Sequence, residues 1–369
     1  MAGDEKCSRR DNTLMSALKK RIIEIIRQEG PISVERYMAL ALGDPQYGYY
    51  MTRDPLGASG DFTTSPEISQ MFGELVGLWC ADLWLRAGQP TLSLVELGPG
   101  RGTLMSDILR ATRAVTGFHD ALQVTLVDMS PVLSEIQKRT LTDAHPRIDW
   151  ATTIATLPEK PTIILANEFF DALPIRQFQK RNQAWHECLI GADDRNSLVF
   201  GLAHEPMRMS GPGGSEGDIL EYAPISDTIM HDLARHVATF GGAGLIIDYG
   251  YTQSGFGDTL QALKAHEFVN PLDAPGEADL TVHVNFEALE LAARESGVRT
   301  HGPITQADLL DRLGIDTRVE TLIRKASPQQ IDDIRKARER LIEPTAKGMG
   351  HLFKALALSH KAWPTPAGF

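Results

Sequence analysis

The chain predicts an α/β fold built on a mainly parallel sheet, with a helical extension before it and a β-rich insertion within it. Three observations carry that expectation. Leu92–Leu97 is a short apolar run that ends in a turn with alternating glycines, and helical spacing follows from Leu104. Further short apolar runs, at Val124–Val127, Thr162–Ala166 and Gly244–Tyr249, are separated by stretches of helical periodicity. Between Ile175 and Ala203 the residues alternate in a way that suits antiparallel hairpins, for example at Arg176-Gln177-Phe178-Gln179 and Trp185-His186-Glu187-Cys188-Leu189.

Taken in order, Leu14 to Gln28 places Leu14, Leu18, Ile22, Ile25 and Ile26 along one side of a helix that Gly30-Pro31 ends. Ser33 is suited to cap a second helix through Leu42. Gly43 to Pro66 reads as loop, and Ile68 to Leu85 as a helix with Phe72, Leu75, Leu78, Trp79 and Leu83 as its apolar residues. After the first two strands come a helix near Val132 to Leu141, a weak strand at Ile148–Trp150 and the strong strand ending at Ala166. Beyond the hairpins, Ser210 to Gly217 is a glycine-rich loop and Ile225 to Phe240 a helix. The tail predicts helices near Phe286–Ser296, Gln306–Leu313 and Gln329–Leu341. This suggests residues 1–90 as helical arm and lid loop, 91–250 as ligand-binding core with an insertion near 175–215, and 251–369 as completion of the core.

The chemistry gathers at strand ends. Glu96, Gly98, Pro99, Gly100 and Gly102 form E-x-G-P-G-x-G, a turn at which the backbone closely approaches a ligand. A dinucleotide turn wants G-x-G-x-x-G to serve a pyrophosphate, and Thr103 stands where its last glycine belongs. S-adenosylmethionine has no phosphate and imposes no such spacing, so the motif favours a methyl donor; a ligand-free structural turn is the plainer alternative. Asp128, with Met129 beside it, ends the second strand, where an acid accepts hydrogen bonds from ribose hydroxyls. Helix capping would also explain it. The fourth strand ends in Asn167-Glu168-Phe169-Phe170-Asp171, over the same crevice. Glu168 is a candidate to orient a nucleophile, with Asn167 and Asp171 as partners, although Asp171 would equally serve as a helix cap. Asp248 draws similar notice.

Composition excludes several classes. The net charge of −11 argues against general nucleic-acid binding. Three scattered cysteines suggest neither a disulfide framework nor a zinc cluster, and the histidines form no metal-ligand array. No run reaches the length of a membrane span, and the opening residues lack the apolar core of a signal peptide, so the expected address is cytoplasmic.

Longer literal motifs carry a family resemblance. Gly60-Asp61-Phe62-Thr63-Thr64-Ser65-Pro66-Glu67-Ile68, Val95 to Gly102, Asn167 to Pro174, Ile247 to Gly250, Pro275-Gly276-Glu277-Ala278-Asp279-Leu280-Thr281 and the closing Pro366-Ala367-Gly368-Phe369 resemble the MidA-like family. The likeness spans residues 34–369 and implies a class I methyltransferase (Rossmann-like) fold. It implies S-adenosylmethionine as cofactor and protein-arginine methylation with a core subunit of respiratory complex I as partner. Carried over, Glu96 and the glycines lie at the donor, Asp128 at its ribose, and Asn167 and Glu168 in the crevice. Gly60 and Asp61 belong to a loop that reads either as a lid over the cofactor or as a rigid turn joining two helices. A non-catalytic assembly factor that binds the donor, or a methyltransferase acting on RNA or a small molecule, are the competing readings.

Overall fold

The computed structural model describes residues 16–54, 63–207 and 212–369. Its centre is a sheet of seven strands: β1 (Leu92–Leu97), β2 (Leu122–Val127), β3 (Ile148–Ala151), β4 (Thr162–Asn167), β5 (Gly242–Tyr251), β6 (Arg299–Thr305) and β7 (Phe353–Ser359). Across the sheet they lie in the order β6-β7-β5-β4-β1-β2-β3, and Val284–Asn285 adds a short parallel pairing to β5. All neighbours pair in parallel except β7, which runs antiparallel to both β5 and β6. The chain leaves β1 in one direction along the sheet and resumes at β4 in the other. A crevice therefore opens between the carboxyl ends of β1 and β4.

Strand periodicity sorts the side chains to two layers. Leu92 and Leu94 of β1, Ile163 and Leu165 of β4, and Leu245 and Ile247 of β5 pack with α3 (Gln70–Arg86) and α4 (Thr103–Thr112). Val95, Leu97, Ile164, Ala166 and Ile246 face α6 (Pro224–Phe240) and α7 (Phe286–Glu295). In α6 the contact residues Met230, Leu233, Ala234 and Val237 recur at helical spacing. Each buried aliphatic side chain of this kind contributes roughly 1.5–3 kcal/mol.

A second apolar cluster lies apart from the main sheet. Leu18, Ile22, Ile23 and Ile26 of α1 (Ala17–Glu29) and Tyr37, Met38 and Ala41 of α2 (Val34–Gly43) pack on Ile175, Cys188, Ile190 and Leu198. Ser33 caps α2, its hydroxyl accepting from the Arg36 N–H. The insertion is an antiparallel sheet of Arg176–Arg181, Ala184–Ala192, Leu198–Pro206 and Ile219–Tyr222, completed by Ile32–Ser33 of the arm. The arm and insertion thus share one core.

The structure differs from expectation in particular elements. Leu78 is 48% exposed, because α3 buries Leu75, Trp79 and Leu83 on the face turned to α4. No helix follows β4; residues 168–175 are turns and bends, so Asp171 caps nothing. Strands β6 and β7, which complete the sheet, went unrecognised in a tail read as helices. The 30-residue span from Gly98 to Asp128 accommodates α4 and a further helical turn at Phe118–Ala121. The glycine-rich loop at 210–217 is described only from residue 212.

Candidate functional site

The crevice is lined from three strand ends. Register places Glu96 opposite Leu126 of β2 and Leu165 of β4. Two residues further along each neighbour stand Asp128 and Asn167, so the period of two turns Glu96, Asp128 and Asn167 to the same side of the sheet.

The turn after β1 is made by glycines at positive φ: Gly98 (58°), Gly100 (52°) and Gly102 (81°), with Gly102 as the left-handed N-cap of α4. A Cβ on Gly98 would stand 2.9 Å from Cδ2 of Phe169, so a side chain there would force the ring to shift. Pro99 is buried, and its carbonyl accepts from the Gly102 N–H at 2.7 Å. One side chain braces this turn against β2. Gln137, fully buried on α5 (Pro131–Thr140), donates to the Gly100 carbonyl at 2.9 Å and to Asp128 Oδ2 at 2.8 Å. Its Oε1 accepts from the Trp150 indole. Asp128 Oδ1 accepts from the Ser130 N–H, while Ser130 is the residue that caps α5. Met129 is 64% exposed beside it.

At the end of β4, Glu168 has a backbone φ of 51°, uncommon for a residue with a side chain. Asp248 holds that conformation. Its Oδ2 accepts from the N–H groups of Phe169, Phe170 and Asp171 at 3.0–3.2 Å, and its Oδ1 from Tyr249. Glu168 Oε1 accepts from the Ser65 N–H at 2.8 Å and from Asn167 Nδ2 at 3.0 Å. Glu168 Oε2, Asn167 Oδ1, Asp171 Oδ1 and Glu96 Oε2 are buried with no hydrogen-bond partner among the described residues.

This contrasts with buried acids elsewhere in the fold. Glu74 pairs with both Arg110 and Arg318, and Asp44 pairs with Arg21 and two backbone N–H groups. Glu96 and Glu168 form no ion pair among the described residues. Burial, reinforced by the Asp128 charge, pushes Glu96 up to about 8. Burial, with the Asp171 charge, likewise pushes Glu168 up to about 8 despite its hydrogen bonds. Asp171 is raised by burial to about 6, offset in part by the Tyr249 hydroxyl. Asp248 is raised by burial and by Asp171 and Glu168, while its backbone donors pull it down. Two poorly partnered carboxyls at one crevice make a site for cationic groups. The adenosyl donor, a sulfonium that also carries an ammonium, suits Glu96 in charge. The tight glycine turn and the Asp128 carboxylate suit its uncharged ribose side.

The flanks of the lid-like loop converge here, although Gly60 and Asp61 themselves lie outside the described residues. Asp54 pairs with Arg101 of the glycine turn, Ser65 reaches Glu168, and Glu67 accepts from Thr103 at the start of α4. Sequence reasoning quoted Ser65 within a motif without giving it a part, and passed over Gln137 and Tyr50. Both make their contacts across long sequence separations, which spacing does not register. Among the described residues there is no cluster of metal-ligating side chains and no helix long and apolar enough to cross a membrane.

Residues 75–304 match a family model described as "Putative S-adenosyl-L-methionine-dependent methyltransferase". The chain is 37% identical to the Danio rerio protein arginine methyltransferase NDUFAF7, mitochondrial, over 95% of its own length and 89% of the relative's. The Homo sapiens protein of the same name is 35% identical, covering 93% and 83%. A crystal structure of a Burkholderia thailandensis protein bound to S-adenosyl-homocysteine superposes with a TM-score of 0.83 at 27% identity, covering 95% and 94%. The relatives are named as mitochondrial proteins, which overturns the cytoplasmic address expected from the sequence.

Proposed function

The chain belongs to the family of S-adenosyl-L-methionine-dependent methyltransferases, and from that premise we propose that it methylates arginine on a protein partner. The observation that carries the acceptor assignment is the buried Glu168 carboxyl. It has one oxygen held by Ser65 and Asn167 and the other unpartnered, next to the unpartnered Asn167 Oδ1. The names of the relatives support arginine as the class of acceptor. A complex I core subunit is the partner that the family resemblance suggests.

On this reading Glu96, Gly98, Pro99, Gly100, Gly102, Asp128 and Met129 hold the donor. Glu168, Asn167 and Asp171 receive the guanidinium. When bound, the donor would supply an electrophilic methyl group to the acceptor nitrogen, with the thioether of S-adenosylhomocysteine as the leaving group. The protein supplies approach geometry and a dry pocket. Glu168 and Asn167 accept N–H bonds from one edge of the guanidinium, which concentrates its positive charge there and leaves the other nitrogen more nucleophilic. The methylated nitrogen then gives up a proton, and a carboxyl group raised to about 8 is basic enough to take it. Asp248 acts through the turn: by holding three successive N–H groups it keeps Glu168 aimed at the crevice.

The test is transfer of labelled methyl from S-adenosylmethionine to soluble proteins, followed by hydrolysis and identification of the labelled residue. Label on arginine, abolished in Glu168→Ala with donor affinity retained, is the expected result. Label on any other residue, or equal loss of donor binding in Glu168→Ala, would overturn the acceptor assignment.

A further inference from the structure

The motif Pro275 to Thr281 is far in sequence from the donor turn, yet it meets the arm where the arm crosses the crevice. Gly276, at a φ of 79°, has no room for a Cβ beneath the Tyr47 carbonyl, and its own carbonyl accepts from Arg53 at 2.8 Å. Three residues on, Asp279 is buried and accepts from the Tyr50 hydroxyl at 2.8 Å. Strand Asp279–Thr281 leads into Val282, whose N–H donates to the Asp171 carbonyl, so Asp279 is tied to the acceptor turn. At its other end Tyr50 reaches the donor side, where its carbonyl accepts from the Ser130 hydroxyl at 2.6 Å. Ser130 in turn donates its N–H to Asp128. A single residue therefore joins the second strand's tip to the acid-bearing turn after the fourth.

We infer that Tyr50 is a positioning residue: with Asp279 it fixes the acceptor turn relative to the donor-side end of β2, and the Pro275 to Thr281 motif exists to hold it. The inference rests on methyl transfer at this crevice and on the acceptor lying at Glu168, but does not require that acceptor to be arginine. The Tyr50 hydroxyl donates to the buried Asp279 while its backbone carbonyl accepts from the buried Ser130, and the Tyr50 ring packs edge-on to Tyr49. Tyr50→Phe keeps that ring and its backbone bond to Ser130 while deleting the one bond to Asp279.

Initial rates of labelled methyl transfer at saturating donor test this, using whichever acceptor the wild type labels, together with S-adenosylhomocysteine affinity by calorimetry. Tyr50→Phe and Asp279→Leu are expected to lower the transfer rate about tenfold or more while donor affinity stays within about twofold. Asp279→Asn, which still accepts from the hydroxyl, is expected to keep at least about a third of the rate. A rate within about twofold of wild type in both Tyr50→Phe and Asp279→Leu would overturn the inference. So would loss of rate, donor affinity and melting temperature in parallel, since that marks a merely structural role. Label on a residue other than arginine overturns the arginine reading but leaves the comparison between variants intact. A wild type that transfers to nothing overturns both.

Discussion

Glu168 concentrates the conflict between stability and function in one residue. Its φ lies in the left-handed region and its carboxyl is buried with one oxygen unpartnered. The first costs on the order of 1 kcal/mol and the second somewhat more. Such costs persist at sites where a ligand later supplies the missing contact. Glu168→Gln preserves the acceptor for Ser65 and Asn167, so the variant is expected to fold, while the transfer rate falls roughly 100-fold. The wild-type pH profile is a second prediction. On the proposed reading the guanidinium is bound by an ionised Glu168, and burial raises that carboxyl to about 8, where it is half ionised. The ratio kcat/KM should therefore climb with pH through about 8 and flatten above about 9, whereas Glu168→Gln should lack that limb. Initial rates across the range check both. A wild-type profile flat from about pH 6 to 9 would remove Glu168 from the ionisation that matters.

At the scale of elements, the site depends on two turns, one after β1 and one after β4, held against each other. Gly98 packs on Phe169, so Gly98→Ala imposes a Cβ at positive φ against an aromatic ring. It should destabilise the protein by about 1–3 kcal/mol and weaken S-adenosylhomocysteine binding at least about tenfold, as chemical denaturation and calorimetry would show. Unchanged donor affinity would mean that the glycine turn is not the donor's seat. These turns were largely legible in the sequence. Each follows a short apolar strand and carries an acid at a position that strand periodicity fixes. The edge of the sheet was not. Strand β6 contains Gly302-Pro303, and its pairing with β7 shifts register between His301 and Ile304, which breaks the alternation that identifies strands. Strand β7 is buried at every residue, and a short run apolar on both faces has no period to read. The contacts of Gln137, Tyr50 and Ser65 were invisible for a different reason: each joins segments that only the folded chain brings together.

For the molecule as a whole, the raised carboxyls couple folding to protons and to the donor. Glu96 and Glu168 titrate near 4.5 when exposed and near 8 in the folded chain, so between those values the native state binds more protons than the unfolded state. Their contribution to stability is complete below about pH 4.5 and is lost as pH rises through about 8. The ligand-free protein should therefore lose on the order of a few kcal/mol between about pH 5.5 and 8.5. Glu96→Gln and Glu168→Gln should each flatten that decline in thermal melts. Donor binding runs the other way. A ligand bearing a sulfonium and an ammonium favours the ionised Glu96, so binding near pH 7 should expel a proton, and the release should vanish above about pH 9.5. Calorimetry in two buffers of different ionisation enthalpy measures it directly. If the apparent binding enthalpy is the same in both buffers at pH 7, Glu96 is already ionised in the ligand-free protein. The unpartnered oxygen at the end of β1 would then have no part in holding the donor's charge.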